Sequence, residues 1–293
     1  MRRYLLPLAA ASLLCVPSAA LAQPHRVESS FARAALNGLL RAGATPAGAN
    51  LPCTLTAERP RPVVLVHGTA EAPIINWSGL APYLANEGFC VHTVRYGMRF
   101  GIPGLADVRR SATELSSGVD AVLAKYPGVT QVDLVGHSQG GMMPRWYIKF
   151  LEGGAKVHRL VGISPSSHGS TIFGLTTLIH RLGLRSAVSL ASPAIAQQLS
   201  GSSLLRDLNA DDETPGDTLY DVIATKYDEV VTPFGSSRLE GASWWTVQDG
   251  CSRDLSEHLQ ITYSPRVLAK TANLLDSGTR PLPCRFVAPV GLG

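Results

Sequence analysis

Val132-Asp133-Leu134-Val135-Gly136-His137-Ser138-Gln139-Gly140-Gly141-Met142-Met143 is the stretch from which the rest of the chain can be placed. A short apolar run reads as a buried strand, G-x-S-x-G follows it at once, and the next residues can open a helix. In that setting Ser138 reads as a nucleophile on a sharp strand-to-helix turn. Gly136 and Gly140 flank it because a Cβ at either place would run into neighbouring backbone. In a chain with 28 glycines the pentapeptide alone carries little weight. The strand before it and the helix after it make the signal specific.

Outward from this turn the chain alternates. Pro60-Arg61-Pro62 opens Val63-Val64-Leu65-Val66, a buried-strand pattern ending in His67-Gly68-Thr69. Residues 77–86 predict a helix, residues 90–94 a second strand, and residues 107–125 a longer helix with Val108, Leu115, Val119 and Val122 on its apolar side. After the serine come a helix over 141–151 and strands over 157–163, 218–225 and 243–247. A closing helix begins at Pro265 with Ser264 as its N-cap. Strands alternating with helices predict an α/β fold: a mostly parallel sheet of about six strands with helices on both faces. In such sheets the site lies outside the carboxyl ends of the strands, and His67, Ser138, His168 and Asp228 all follow strands.

The strand pattern stops between residues 170 and 216. There Ile172, Leu175, Ile179 and Leu182 share a helical face, and a second short apolar piece spans 193–199. An insertion at this place reads as a cap or lid over the active edge; the competing reading is a packing excursion without motion.

The first residues are set apart. Arg2 and Arg3, an apolar run over 5–16 and Ala20-Leu21-Ala22 predict a signal peptide over residues 1–22, cleaved near Ala22, and a secreted or periplasmic protein. The run is too short for a transmembrane anchor. Residues 23–50, rich in Ala, Gly and Arg, form an N-terminal segment in which Val27, Phe31, Ala35 and Leu39 suggest one amphipathic helix. Residues 51–293 form the catalytic domain. Hydrophobic residues make up 45% of the chain and charged ones 16%, as one large domain with a sizeable core requires. Without the signal, 24 basic residues face 22 acidic ones, too even a balance to argue for nucleic acid or an anionic membrane as partner.

Four cysteines remain in the mature chain: Cys53, Cys90, Cys251 and Cys284. An even count in an exported protein favours two disulfides, and three pairings are possible. Cys53–Cys90 and Cys251–Cys284 is the preferred set, because Cys53 precedes the first strand and Cys90 opens the second, at the sheet edge away from the serine. Four buried free thiols are the alternative.

A serine hydroxyl needs a base, and the base needs an acid to hold its tautomer. On a strand–turn–helix scaffold the partners follow in the order serine, acid, histidine. Of eight histidines, His25, His67, His92 and His137 precede or adjoin the serine. Among His158, His168, His180 and His258, only His258 comes after a further acid on a post-strand loop. Asp228, just after the strand over 218–225, is the expected acid, with Glu229 next in order. Asp207, Asp211, Asp212 and Asp221 sit in the insertion or inside a strand, and Asp249 and Asp254 share the histidine's own loop. The oxyanion needs donors held in place beforehand. The backbone N–H of Gln139 is one and Thr69, after His67-Gly68, supplies the second, its hydroxyl able to add another.

These motifs together resemble the secreted bacterial lipases of the α/β-hydrolase superfamily, in particular the class 2 lipase group. Four stretches carry the likeness: Val63 through Thr69, Gly136 through Gly141, Tyr227-Asp228-Glu229-Val230-Val231-Thr232-Pro233, and Cys251 through His258-Leu259. Gln197-Gln198-Leu199-Ser200-Gly201-Ser202 adds to it, and the match runs from about residue 50 to the C-terminus. The resemblance implies an α/β-hydrolase fold with Ser138, Asp228 and His258 as nucleophile, acid and base, Thr69 and Gln139 as the oxyanion pair, and acylglycerols or simple carboxylic esters as substrates. Ser166-Ser167-His168-Gly169-Ser170 departs from the group's usual bulkier segment, which bears on the acyl pocket. No H-E-x-x-H or cysteine–histidine cluster and no phosphate loop appears, so no cofactor or metal is expected. Polyester hydrolysis or acyl transfer could use the same triad, and the scaffold can also serve binding alone. Ile74, Ile75, Trp77 and Met142 are candidates for a greasy acyl site.

Overall fold

The computed structural model describes residues 24–41, 43–171 and 189–290. The signal segment and the helical face built on Ile172, Leu175, Ile179 and Leu182 lie outside the described residues. The elements run α1 (Phe31–Leu40), β1 (Val63–Val66), α2 (Pro73–Trp77), α3 (Leu80–Asn86), β2 (Val91–Val94), α4 (Val108–Leu123), β3 (Val132–His137) and α5 (Gln139–Phe150). Then come β4 (Val157–Ile163), α6 (Pro193–Gln197), α7 (Ser203–Asn209), β5 (Leu219–Ala224), β6 (Ser243–Thr246) and α8 (Pro265–Asp276).

All six strands pair in parallel, in the order β2-β1-β3-β4-β5-β6. The two-residue period of β1 shows how the sheet is covered. Val64 and Val66 face a core shared with Leu115 and Val119 of α4 and Met143 and Tyr147 of α5. Val63 and Leu65 face the opposite core, with Leu80 and Leu84 of α3 and Val267 and Leu268 of α8. A strand buried on both faces must be apolar at every position, which is why β1 reads VVLV. At roughly 25 cal/mol per Å² of apolar surface, these two layers are the main favourable term in folding.

Helix starts follow local chemistry. Asp107 caps α4 by accepting from the N–H groups of Arg109 and Arg110, and Ser264 caps α8 ahead of Pro265 at its first turn. The helix expected over 77–86 is two pieces, α2 and α3, with α2 starting four residues earlier at Pro73. In the N-terminal segment the expected apolar face is not the buried one. Leu39 is 76% exposed, while Ala34 and Gly38 are buried. α1 approaches the domain through its small residues because a Cβ on Gly38 would lie 2.2 Å from Ile75 Cγ1.

Both disulfides pair as Cys53–Cys90 and Cys251–Cys284. The first ties the segment before β1 to the amino end of edge strand β2, on the side of the sheet opposite the serine. The second ties the loop after β6 to the segment beyond α8.

Candidate active site

Ser138 stands between β3 and α5 with φ 53° and ψ −121°. A non-glycine residue in that region is strained, and the turn persists because its surroundings leave no alternative. A Cβ on Gly136 would lie 1.7 Å from the Gly140 carbonyl oxygen, and one on Gly140 would lie 2.0 Å from the Val66 oxygen. The two glycines thus let the Ser138 turn pack close against both its own helix and β1.

Asp228 lies beyond the carboxyl end of β5, and the backbone N–H groups of Val230 and Val231 donate to its Oδ1 at 3.0 and 2.7 Å. His258 donates from Nδ1 to Asp228 Oδ1 at 3.0 Å and Oδ2 at 2.9 Å. Both residues are buried. Burial acts to raise the Asp228 pKa, but the His258 charge and hydrogen bond, with those from Val231 and Ser164, outweigh it and hold the carboxyl below the usual value. For His258, burial acts to lower the pKa; the Asp228 carboxylate, helped by Glu71 and Glu229, outweighs it and raises the imidazole above its ordinary value. The geometry therefore favours a charged imidazolium when a proton arrives.

Ser138 and His258 line one cavity of about 300 Å³. Among the described residues no hydrogen bond joins the serine hydroxyl to His258, a looseness common in unliganded nucleophile–base pairs. Glu229 does not bond the His258 ring. Burial and the nearby Glu257 raise its pKa, and it accepts instead from the His258 backbone N–H at 3.4 Å.

Thr69 and Gln139 meet at the mouth of the serine turn. The Thr69 hydroxyl donates to Gln139 Oε1 at 2.7 Å and accepts from Gln198 Nε2 at 2.9 Å. Its hydrogen bonds in this structure therefore go to the Gln139 and Gln198 side chains. The backbone N–H groups of Thr69 and Gln139 have no hydrogen-bond partner among the described residues, and that of Gln139 begins α5, where a helix leaves its first N–H groups free.

Other histidines are occupied elsewhere. His67 is stacked on Tyr96 at 4.2 Å with its Nδ1 2.9 Å from the Gly68 oxygen, and burial pushes its pKa down to about 4. His158 bonds Asp133, and His168 bonds Glu213; His180 lies outside the described residues. The apolar candidates fall differently from expectation: Trp77 and Met142 are fully buried in the two cores, and neither lines the cavity. Its apolar wall is Ile195, Leu199, Val230, Val231 and Leu259. Ile74 and Ile75 do not line it either: both lie against Gly38 of α1, so the cavity is left to loops and to the insertion.

Two further residues belong to the site: Gln198, which the sequence offered only as part of the family likeness and without a role, and Glu71, which it did not single out. Gln198 bridges Thr69 and Ser166, whose hydroxyl donates to its Oε1 at 2.9 Å. Glu71, buried in the cavity wall, pairs with His137 at 3.0 Å. An acid among Ala70, Ala72, Pro73 and Ile74 was the available signal. Among the described residues there is no cluster of three or more His, Cys, Asp or Glu able to hold a metal ion, and none of the helices is long and apolar enough to cross a membrane.

The arrangement has counterparts. Lipase B of Aspergillus fumigatus superposes with a TM-score of 0.61 at 21% identity, over 83% of this chain and 61% of that one. The mature lipase BlEst2 of Bacillus licheniformis gives 0.57 at 15% identity, over 77% and 96%. These likenesses are of fold. The chain thus spans about three fifths of the Aspergillus enzyme and nearly all of the Bacillus one. The sequence model of the lipase (class 2) family matches residues 60–265, from the approach to β1 through the start of α8. The chain belongs to the class 2 lipase family of the α/β-hydrolase superfamily.

Proposed function

We propose that the protein is an exported serine ester hydrolase acting on acylglycerols or simple carboxylic esters. The observation that carries the reading is the bifurcated hydrogen bond from His258 Nδ1 to the Asp228 carboxylate, with His258 at the wall of the cavity that Ser138 also lines. In this mechanism His258 Nε2 takes the Ser138 proton as Oγ attacks the ester carbonyl, and Asp228 holds the imidazole in the tautomer that leaves Nε2 free. The oxyanion is held by the backbone N–H groups of Thr69 and Gln139. The imidazolium returns its proton to the departing alcohol, and water repeats the steps on the acyl-enzyme to release the acid. The acyl chain packs against Ile195, Leu199 and Val231, so the described part of the insertion around residues 193–199 supplies part of the cavity wall.

Cleavage near Ala22 and export complete the reading, supported by two disulfides, which persist in oxidising compartments. The test is a panel of p-nitrophenyl esters from acetate to palmitate, run with and without emulsion on the wild type and on Ser138→Ala. Turnover by the wild type that Ser138→Ala abolishes is the expected result. Undiminished turnover by the variant would remove the serine mechanism.

A further inference from the structure

The cavity wall contains a carboxylate that the mechanism above does not use. Glu71 is 7% exposed, and it sits two residues beyond Thr69. Its Oε2 is taken by His137 Nδ1 at 3.0 Å, while Oε1 is buried with no hydrogen-bond partner. A buried carboxylate oxygen without a donor is costly, so the site is complete only when something supplies one. Gly68 leaves the room: a Cβ there would lie 2.5 Å from Glu71 Oε2.

We propose that Glu71 is a substrate subsite, its carboxylate accepting a hydrogen bond from a free hydroxyl of the alcohol part of the ester. The inference rests on the ester-hydrolase reading and names its substrate class: neutral esters of polyols, of the monoacylglycerol kind. Three features of the cavity point that way. A carboxylate can only accept, so its partner is a donor such as a hydroxyl. The apolar residues Ile195, Leu199 and Val231 suit the acyl chain, and Glu71 lines the same cavity as an acceptor for the polar moiety. None of the described residues lining the cavity is lysine or arginine, so an anionic headgroup would meet the Glu71 charge without a counter-ion. Burial acts to raise the Glu71 pKa, but the adjacent His137, with His258 and His67, outweighs it and holds the acid below its usual value, in the accepting form.

Selectivity follows from the chemistry of pairing. A site built to bond a hydroxyl disfavours an ester lacking it, because the acceptor is then left dry and unpaired. The test compares glycerol monobutyrate with propyl butyrate, two soluble esters with the same acyl group and the same alcohol carbon count, one carrying two hydroxyls. Wild-type kcat/KM is expected to favour the monobutyrate at least about tenfold. Glu71→Gln and Glu71→Met are each expected to bring that ratio toward one, mainly through KM of the monobutyrate. A purely structural role would lower both substrates together and leave the ratio unchanged. A wild-type ratio near one, as when only water occupies the acceptor, overturns the subsite even if the variants fold poorly. A ratio unmoved in a folded variant overturns it as well. Hydrolysis of propyl butyrate without selectivity leaves the hydrolase reading standing, whereas hydrolysis of neither ester removes both.

Discussion

His137 Nε2 lies 2.9 Å from the backbone carbonyl oxygen of His258. A carbonyl only accepts, so this nitrogen carries a proton, and the imidazole before Ser138 props the loop that carries His258. At its other edge the ring meets Glu71 Oε2 and Asn76 Nδ2, both at 3.0 Å, and Asn76 Oδ1 in turn accepts from Gly68 N–H at 2.9 Å. One buried imidazole therefore joins the loop after β1, the serine turn and the His258 loop.

Replacing that imidazole should be felt in stability first. His137→Leu strands the Glu71 carboxylate and the His258 carbonyl, and breaking a buried pair from one side costs about 3–5 kcal/mol. Glu71→Leu in the same chain should recover part of the loss, since the stranded charge goes with it. Urea melts of the two single variants and the double variant check this, with a coupling energy above about 1 kcal/mol expected.

Asp228→Asn keeps the shape of the acid but turns a donor toward His258 Nδ1, favouring the tautomer that protonates Nε2. A kcat loss of about 10³–10⁴ is expected with KM little changed and the fold retained. Steady-state kinetics on p-nitrophenyl butyrate, alongside a circular dichroism spectrum, would show it; a loss below tenfold would mean that another acid serves the base.

The pH profile follows from the raised pKa of His258. The base must be neutral, so kcat/KM should rise with pH through a limb lying above 6.5, the ordinary histidine value. Stability should run the other way across the same window. Because the folded state holds this proton more tightly, the contribution is fully present below about 6.5 and fades as pH rises through the folded-state value. Activity and melting temperature measured from pH 5 to 9 should show the two trends crossing, and Asp228→Asn should move the limb to lower pH.

How much of this was legible in the chain itself depends on how local the cause is. The serine turn could be read because strand, glycines and helix are adjacent, and the order of acid and histidine followed from the alternation of strands and helices. The cavity wall could not be read the same way. Gln198 reaches Thr69 across 129 positions, and Glu71 reaches His137 across 66, so each looks like an ordinary polar residue until the sheet brings its partner near. The face of α1 was misjudged for a related reason. Periodicity favours Phe31, Ala35 and Leu39, yet the helix docks by close approach at Ala34 and Gly38, where small size rather than hydrophobicity decides.

The serine turn can be tested with one methyl group. At Gly136 a Cβ would sit 1.7 Å from the Gly140 carbonyl oxygen, and relief requires moving the first turn of α5. That turn carries the Gln139 N–H, so Gly136→Ala should cost several kcal/mol, as backbone clashes in a packed core do, and abolish esterase activity. Gly154→Ala is the matched control: the nearest atom to its Cβ would be Ile148 O at 3.9 Å, an ordinary contact. There the added methyl should shift the melting midpoint little and leave kcat unchanged. Should Gly136→Ala retain both stability and turnover, the serine would not be held by crowding, and the strained φ of 53° would need some other source.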